Sequence, residues 1–447
     1  MIAKRRRPIT RRHLAACIAA SFALAAFVPV CFAAGYDNVT NCNDSGAGSL
    51  RDTITNAASG DTVILNPVAM QCSVITLTSG EIVIGRQDLT VKYNGDNSNQ
   101  FTLSGSFKSR VFKHIGTGTL KLQRLAIELG KYSNPPRSSA KGGCVYSAGN
   151  VDLENSSVQA CKVTGNSDHT YARLGGGVYP AMHLTVNHST ISGNSVTDPT
   201  INYQANGGGA AAPAITATYS TINGNYAGGY GGGLFTTHAT GDGSGSLIRQ
   251  CTISGNTGHR GGGISTRGSS LSIQESTISG NNTNNYGSGL FIDGTPTTIY
   301  NSTIAFNQGV NTCGVFFNTR GNYSYALQSS IVANNTYSTG SSSRECDVTG
   351  DITGGSHNIV LRSFGNLPSD TDSRDPLLLP LANNGGPTFT HAFRDGSPAF
   401  GAGENFTRLT TDQRGTGFAR VVNGAVDIGA YEEQNRDDVI FANGFDY

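Results

Sequence analysis

The sequence has 447 residues, of which 59 are glycine and only 14% are charged, and its formal net charge at pH 7 is +1. This balance lacks the basic surplus of a nucleic-acid-binding protein. The low charged fraction also argues against a disordered chain. Gly, Asn, Ser and Thr separate short apolar triplets, which predicts many short strands and turns.

Residues 1–33 have the organisation of an export signal. Six Lys and Arg residues precede an apolar stretch over 14–30, and small residues at Cys31 and Ala33 suit cleavage before Ala34. A transmembrane helix is the alternative, but a proline near the end of the stretch favours cleavage. The segment "TRRHL" at 10–14 leaves both the general and the twin-arginine export routes open.

Cleavage would leave 25 Lys and Arg against 30 Asp and Glu, and seven of the nine cysteines. No later apolar run reaches the length of a membrane span. We therefore expect an exported monomer without a membrane span or a nucleic-acid partner. It would be extracellular or at the outer cell surface, with the periplasm as the alternative. Disulfides persist there, and an odd number of cysteines leaves at least one unpaired or paired between molecules.

An imperfect repeat runs through residues 86–374. The phrase "STISGN" at 189–194 recurs with variations at 220–225, 251–256, 276–281, 302–307 and 329–334, and glycine-rich phrases such as "GGGLF" alternate with it. A period of about 25–33 residues, with two-residue apolar alternation, is typical of one coil of a parallel β-solenoid. We therefore predict an all-β fold, a single-stranded right-handed parallel β-helix of about ten coils. A short capping helix around Leu50–Ala57 would cover its first strand edge.

Stacking of the coils aligns equivalent residues. One apolar position of the repeated phrase would form a buried stack, made of Ile191, Ile222, Ile253, Ile278, Ile304 and Ile331. The asparagine that ends each phrase would form a hydrogen-bonded ladder at a turn. The predicted ladder consists of Asn194, Asn225, Asn256, Asn281, Asn307 and Asn334.

The phrase "CTISGNTGHRGGGIS" at 251–265 admits two interpretations. In the first interpretation, Cys251 is a catalytic nucleophile and His259 is its base. In the second, both are structural residues of the repeat. Cys251 occupies the slot that serine fills in the other copies, and a buried free cysteine behaves as a small apolar residue. His259 lies in a stretch that varies between copies. The scaffold interpretation is therefore favoured.

Three segments resemble secreted bacterial proteins. The segment "GSLRDTI" at 48–54 is similar to the C-S-L-R-E-A-I segment of secreted right-handed parallel β-helix proteins, with Gly48 in place of the cysteine. The Gly-Gly and "SGN" phrases resemble the repeats of polymorphic outer-membrane proteins, which have the pectin-lyase-like fold. Residues 375–403, with "TDQRG" at 411–415 and "DIGAYE" at 427–432, resemble the choice-of-anchor domain that closes such helices. The last eleven residues are similar to a tail of exported proteins of some Gram-negative bacteria.

These resemblances imply a division of the chain into a signal peptide (1–33), a cap with the first coils (34–85), the β-helix repeats (86–374), a closing segment (375–435) and a tail (436–447). One cysteine pair is expected because its members flank the cap, and a second because its members lie about one coil apart. A third pair is expected between two of the other cysteines. The expected pairs are Cys42–Cys72, Cys313–Cys346 and Cys144–Cys161. Cys251 would stay free, although the pairing itself stays open at this point.

The pectin-lyase-like fold hosts enzymes as well as adhesins, but enzymes of this kind need recognisable residues. Glycosidases require two or three carboxylates around the scissile bond, and the coils carry only scattered ones. Glu275 is one of them, and we interpret it as a solvated residue of a strand face. The phrase "GDGSG" at 241–245 does not recur, so no metal site and no cofactor are predicted. The sequence therefore predicts no catalytic residue.

An aromatic stripe is the candidate ligand-binding feature. After each glycine phrase an inward-pointing residue is followed by an outward-pointing one, which is aromatic in most coils and is interrupted by Ala211 and Ser265. Outward aromatic rings can stack on sugars or contact a partner protein, unless loops cover them. The stripe consists of Tyr146, Tyr179, Phe235, Phe291 and Phe316.

The sequence thus favours a non-enzymatic binding or adhesion protein whose partner is a polysaccharide or another cell-surface molecule. A lyase or glycoside hydrolase that acts on an extracellular acidic polysaccharide is the alternative.

Overall fold

The computed structural model describes residues 35–96, 99–133, 138–165, 171–198, 204–237, 245–310, 312–318, 323–339 and 342–434. These residues form an all-β right-handed parallel β-helix of about ten coils, so the predicted fold is confirmed. The proposed signal peptide and the C-terminal tail lie outside the described residues.

Each coil contributes strands to long parallel sheets that run the length of the β-helix. Sheet 1 consists of Tyr36–Val39, Thr62–Leu65, Leu89–Tyr93, Thr119–Gln123, Asn150–Glu154, His183–Asn187, Ala214–Thr218, Ser246–Arg249, Leu271–Gln274, Thr297–Tyr300 and Tyr325–Gln328. Sheet 2 consists of Val74–Thr76, Phe101–Ser104, Leu125–Glu128, Ser157–Gln159, Thr190–Ser192, Thr221–Asn223, Thr252–Ser254, Thr277–Ser279, Thr303–Ala305, Ile331–Ala333 and Ile359–Val360. Sheet 3 consists of Ile82–Ile84, Phe112–His114, Val145–Ser147, Val178–Pro180, Ala210–Ala212, Leu234–Thr236, Ile264–Arg267, Leu290–Asp293, Val315–Asn318, Val348–Thr349 and Ser363–Phe364.

Two further sheets lie between sheets 2 and 3 along the chain. Sheet 4 consists of Lys131–Ser133, Lys162–Thr164, Ser195–Thr197, Tyr226–Tyr230, Thr257–Arg260, Asn282–Tyr286, Gln308–Val310, Thr336–Thr339 and Ser342–Glu345. Sheet 5 consists of Ala140–Lys141, Arg173–Leu174 and Ala205–Asn206. A coil therefore visits sheets 1, 2, 4 and 3 in that order. Its strands pair in parallel with those of the neighbouring coils, apart from the antiparallel pairing of the last two strands of sheet 4.

The N-terminal end of the β-helix carries two short helices, Leu50–Asn56 and Pro67–Met70. Ser49 caps the first helix by accepting a hydrogen bond from the Asp52 amide, and Leu50 and Ile54 face the core. The predicted capping helix therefore exists and packs on the first coils. Among the described residues, no helix is long and apolar enough to cross a membrane.

The interior of the β-helix is a set of aligned apolar stacks. In sheet 2, Ile191 pairs with Ile222 and Ile222 with Ile253, so side chains of one position lie directly above one another. All three are fully buried. Such burial contributes about 25 cal/mol per Å² of apolar surface, which makes these stacks the main source of stability.

An asparagine ladder follows sheet 2. From Asn194 onward, the asparagine of a coil donates from its backbone N and from Nδ2 to the Oδ1 of the asparagine in the next coil, and Nδ2 also donates to a backbone carbonyl, as at Asn225. The Asn225–Asn256 contacts are 3.0 and 2.9 Å. Five members stand where the repeat predicts them: Asn194, Asn225, Asn256, Asn281 and Asn307.

The prediction of Asn334 as the sixth member is wrong by one residue. The backbone N and the Nδ2 of Asn307 donate to Asn335 Oδ1, at 3.0 and 2.8 Å. Asn334 instead occupies the left-handed turn position, φ 57°, that glycine fills in earlier coils. The two adjacent asparagines made the degenerate copy "SSIVAN" fit the repeat in a shifted alignment. The same shift replaces Ile331 by Val332 in the buried stack.

The ladder ends on a carboxylate. Asp347 Oδ1 accepts from the backbone N and the Nδ2 of Asn335, at 3.0 and 2.8 Å, and its Oδ2 accepts from the Arg362 amide at 2.9 Å. Burial raises the pKa of Asp347 to about 7, against the lowering effect of these hydrogen bonds.

Three disulfides link neighbouring segments of the β-helix. They are Cys42–Cys72, Cys144–Cys161 and Cys313–Cys346. Cys251 is free and fully buried; its backbone N donates to Ser276 Oγ at 3.1 Å, so it fills the serine slot of the repeat. Burial raises the pKa of its thiol to about 12. The His259 ring contacts Asn284 and Asn285 instead of Cys251.

Replacing Cys251 with serine should leave folding and thermal stability nearly unchanged, because serine already occupies this slot in six other coils. A buried thiol with a raised pKa reacts slowly. A thiol reagent should therefore label the native protein only after denaturation. Rapid labelling without denaturant would contradict the scaffold interpretation of this residue.

The segment after residue 375 packs along the outer face of sheet 2 over several coils. Apolar side chains such as Phe393 and Ile428 contact Ala305 and Ile331 of that face. Gln413 hydrogen-bonds with Thr252 and Thr277, which lie in two successive coils. The segment therefore covers a side of the β-helix.

A buried ion-pair cluster holds this segment in place. Arg420 lies 3.0 Å from Glu275 and 3.0 Å from Glu432, and all three side chains are fully buried. The interpretation of Glu275 as a solvated residue is therefore wrong, because the C-terminal segment covers its strand end. Burial raises the pKa of Glu275 to about 7, although Arg420 opposes this shift.

Candidate functional site

Two adjoining recesses form an open groove on the outside of the N-terminal coils. They have volumes of about 420 and 390 Å³ and share Arg110 and Tyr132. The first recess is also lined by Glu81, Phe107, Lys108, Ser109, Lys131 and Ser133. The second is also lined by Lys113, Ile115, Ser139, Lys141, Tyr146 and Ala148. We call the two recesses together the basic groove.

Arg110 organises the floor of the basic groove. Its guanidinium Nε lies 3.1 Å from Glu81 Oε2, and Nη1 donates to the Lys141 carbonyl at 2.9 Å. The guanidinium also lies 3.9 Å from the centre of the Tyr132 ring and 5.2 Å from that of Tyr146. Burial lowers the pKa of Arg110, and Glu81 opposes this shift. One buried cation thus fixes two tyrosine rings by cation–π contact.

Four lysines surround this floor. Lys108 and Lys131 are exposed beside the first recess. Lys113 lies 3.5 Å from Glu81, and Lys141 lies 3.2 Å from the Tyr179 hydroxyl. With Arg110, the groove presents five cationic side chains and the one carboxylate of Glu81. A site of this composition attracts anions and offers aromatic faces.

Sequence reasoning did not predict these lysines, although a signal was present. Residues 105–150 contain eight Lys and Arg against one acidic residue, in a chain that has nearly equal numbers of both. The lysines and Arg110 come from strands of three sheets and from the turns between them. Their proximity therefore depends on how the coils stack.

The aromatic stripe forms an aligned row on the outer face of sheet 3. Tyr146 pairs with Tyr179 and Phe291 with Phe316, with ring centres 6.1 and 5.6 Å apart. However, Tyr179, Phe235 and Phe291 are only 8%, 5% and 1% exposed. They pack with Leu174 and Tyr230 of the neighbouring sheets. An exposed stripe is therefore wrong for these three residues.

The two ends of the stripe remain half-buried. Tyr146 lies in the second recess, and Phe316 lies at the other end beside Tyr286. The predicted stripe thus enters the candidate site only at Tyr146. Among the described residues, no group of three or more His, Cys, Asp and Glu side chains is arranged to hold a metal ion.

Comparison with known proteins identifies the fold. No protein-family model and no curated protein sequence matches this chain. A solved structure, that of pectate lyase Pel9A, superimposes with a TM-score of 0.53 and 14% sequence identity, over 90% of this chain and 97% of the lyase chain. The chain has a pectate lyase-like β-helix fold. At this identity the likeness concerns the fold only.

Proposed function

We propose that this protein binds an acidic polysaccharide, without cleaving it, in the basic groove. The observation that supports this proposal is the arrangement of four lysines around two tyrosine rings that Arg110 holds in place. Lysine ammonium groups would pair with the carboxylates or sulfates of the glycan. The tyrosine rings would contact the apolar faces of its sugar rings.

The proposed location is the outer cell surface or the extracellular space, with the periplasm as the alternative, and the proposed state is a monomer. The three disulfides support an exported protein, because such bonds persist in oxidising compartments. An open groove on an exported protein is accessible to polymers outside the cell, which supports the proposed binding or adhesion role.

A polysaccharide lyase is the second candidate function, and its support is the likeness in fold to pectate lyase Pel9A. Elimination next to a uronate carboxylate requires a base and cations that neutralise the carboxylate, and the basic groove supplies cations. Incubation with polygalacturonate would distinguish the two functions. Unsaturated products, detected by their ultraviolet absorbance, would establish the lyase and contradict the binding-only proposal.

Replacing Lys108 and Lys131 together with alanine should weaken binding of polygalacturonate about tenfold at low salt, since two exposed cations contribute about 1.4 kcal/mol in total. Isothermal titration calorimetry at two salt concentrations measures the effect, which should shrink at high salt because surface charges are screened.

The matched control is the double replacement of Lys92 and Lys121 with alanine. These lysines lie in sheet 1, outside the groove, and their removal changes the net charge by the same amount. An equal loss of affinity in the control would mean that net charge, not the groove, governs binding. Absence of binding by the unaltered protein would contradict the proposed function.

A further inference from the structure

The turn between the strands Phe101–Ser104 and Phe112–His114 presents a phenylalanine to solvent. Phe107 is 48% exposed and lines the first recess beside Lys108 and Lys131. Ser106 and Phe107 both have left-handed backbone conformations, with φ of 50° and 54°. This region disfavours residues other than glycine, and a bulky residue is unusual there. The chain thus places a large apolar side chain where neither burial nor backbone preference favours it.

Hydrogen bonds hold the turn in this conformation. The Phe107 amide donates to the Leu129 carbonyl at 2.5 Å, and the Lys108 amide donates to the Gly105 carbonyl at 2.9 Å. The Lys131 amide donates to the Ser109 carbonyl at 3.0 Å, which ties the turn to the next coil. These hydrogen bonds fix the backbone of the turn, so Phe107 stays on the rim of the first recess.

We propose that Phe107 is the specificity residue of the basic groove, a platform on which a sugar ring of the ligand stacks while Lys108 and Lys131 bind its charge. This inference rests on the proposed function. Lysines attract any polyanion, because their attraction depends on charge. An aromatic face beside them favours a polyanion whose charged units are rings with apolar faces. The ligand class is thus a polyanionic glycan, in contrast to a flexible acidic polymer without rings.

The test compares Phe107→Gly with Ser106→Gly. Both changes place glycine at a left-handed position, so both should keep the melting temperature equal or raise it by about 1–3 °C. Calorimetric affinities are measured for an oligogalacturonate and for polyglutamate, an acidic polymer without sugar rings. Phe107→Gly should lower the affinity for the oligogalacturonate about three- to tenfold and leave that for polyglutamate unchanged. Ser106→Gly should change neither, and Phe107→Trp should retain the affinity for the oligogalacturonate.

Four outcomes would overturn the inference. Unchanged oligogalacturonate binding by Phe107→Gly would show that the ring contributes nothing, while the proposed function would survive. Equal losses for both polymers would show that Phe107 does not select for sugar rings. An equal loss in Ser106→Gly would show that the turn conformation matters instead of the ring. If the unaltered protein bound neither polymer, the proposed function would fail, and this inference with it.

Discussion

Replacing Arg420 with methionine should lower the free energy of unfolding by about 3–5 kcal/mol at pH 8, because it leaves buried carboxylates without their cation. Glu275 and Glu432 both lie 3.0 Å from this guanidinium, and none of the three side chains is exposed. Arg420 also donates to the Gly429 carbonyl at 2.8 Å, which would lose its partner. Urea unfolding followed by circular dichroism measures the loss.

The matched control is Arg408→Met, because Arg408 is exposed in the same segment. The deficit of Arg420→Met should also shrink at pH 5. Burial already raises the pKa of Glu275 to about 7 in the unaltered protein, so a folded state without Arg420 would bind protons that the unfolded state has released. Stability is then regained as the pH falls toward the unfolded pKa. Losses that are small and equal for both variants at both pH values would contradict a stabilising cluster.

Replacing Asn256 with alanine should cost about 2–4 kcal/mol of the free energy of unfolding, because several buried polar groups lose partners at once. Asn256 Oδ1 accepts from the backbone N and the Nδ2 of Asn225, and its own Nδ2 donates to the Ile222 carbonyl and to Asn281. Alanine can replace none of these hydrogen bonds. Urea unfolding and hydrogen exchange at the neighbouring amides measure the effect.

The control for the ladder is Asn334→Gly. Asn334 lies next to the ladder, in the left-handed turn position that glycine fills elsewhere, so this change should be neutral or slightly stabilising. A comparable replacement of Asn335 by alanine should be costly. The reverse order, with Asn334 costly and Asn335 neutral, would contradict the register described above.

The repeated phrases predicted the architecture because each phrase contains the residues that one turn of the β-helix needs. An isoleucine for the interior, a glycine for the left-handed turn and an asparagine for the ladder follow in the same order within the phrases at 189–194, 220–225, 251–256 and 276–281, although the distance from one phrase to the next varies. The prediction was wrong where a copy became degenerate. Asn334 and Asn335 both fit the ladder by sequence, and the structure distinguishes them by the pairing of Val332 with Ile304 and by the hydrogen bonds from Asn307 to Asn335.

Burial of individual side chains was harder to predict than the architecture, because it depends on contacts between distant segments. Glu275 is part of an ordinary strand end by sequence, and its buried state depends on Arg420, which lies 145 residues away. The burial of the aromatic stripe also depends on residues that are distant in sequence. Strand alternation placed Phe235 and Phe291 on the outer face, but whether that face meets solvent depends on residues such as Tyr230 of another sheet.

The direction of the asparagine ladder determines how coils can be added to the β-helix or removed from it. Every side-chain amide accepts from the preceding coil and donates to the following one, so the amide dipoles add along the axis and their positive end meets Asp347. An inserted coil with asparagine at this position would accept and donate in the same sense as its neighbours. The polarity therefore permits whole coils to be added or removed. The last position, however, requires a carboxylate, because both oxygens of Asp347 receive hydrogen bonds.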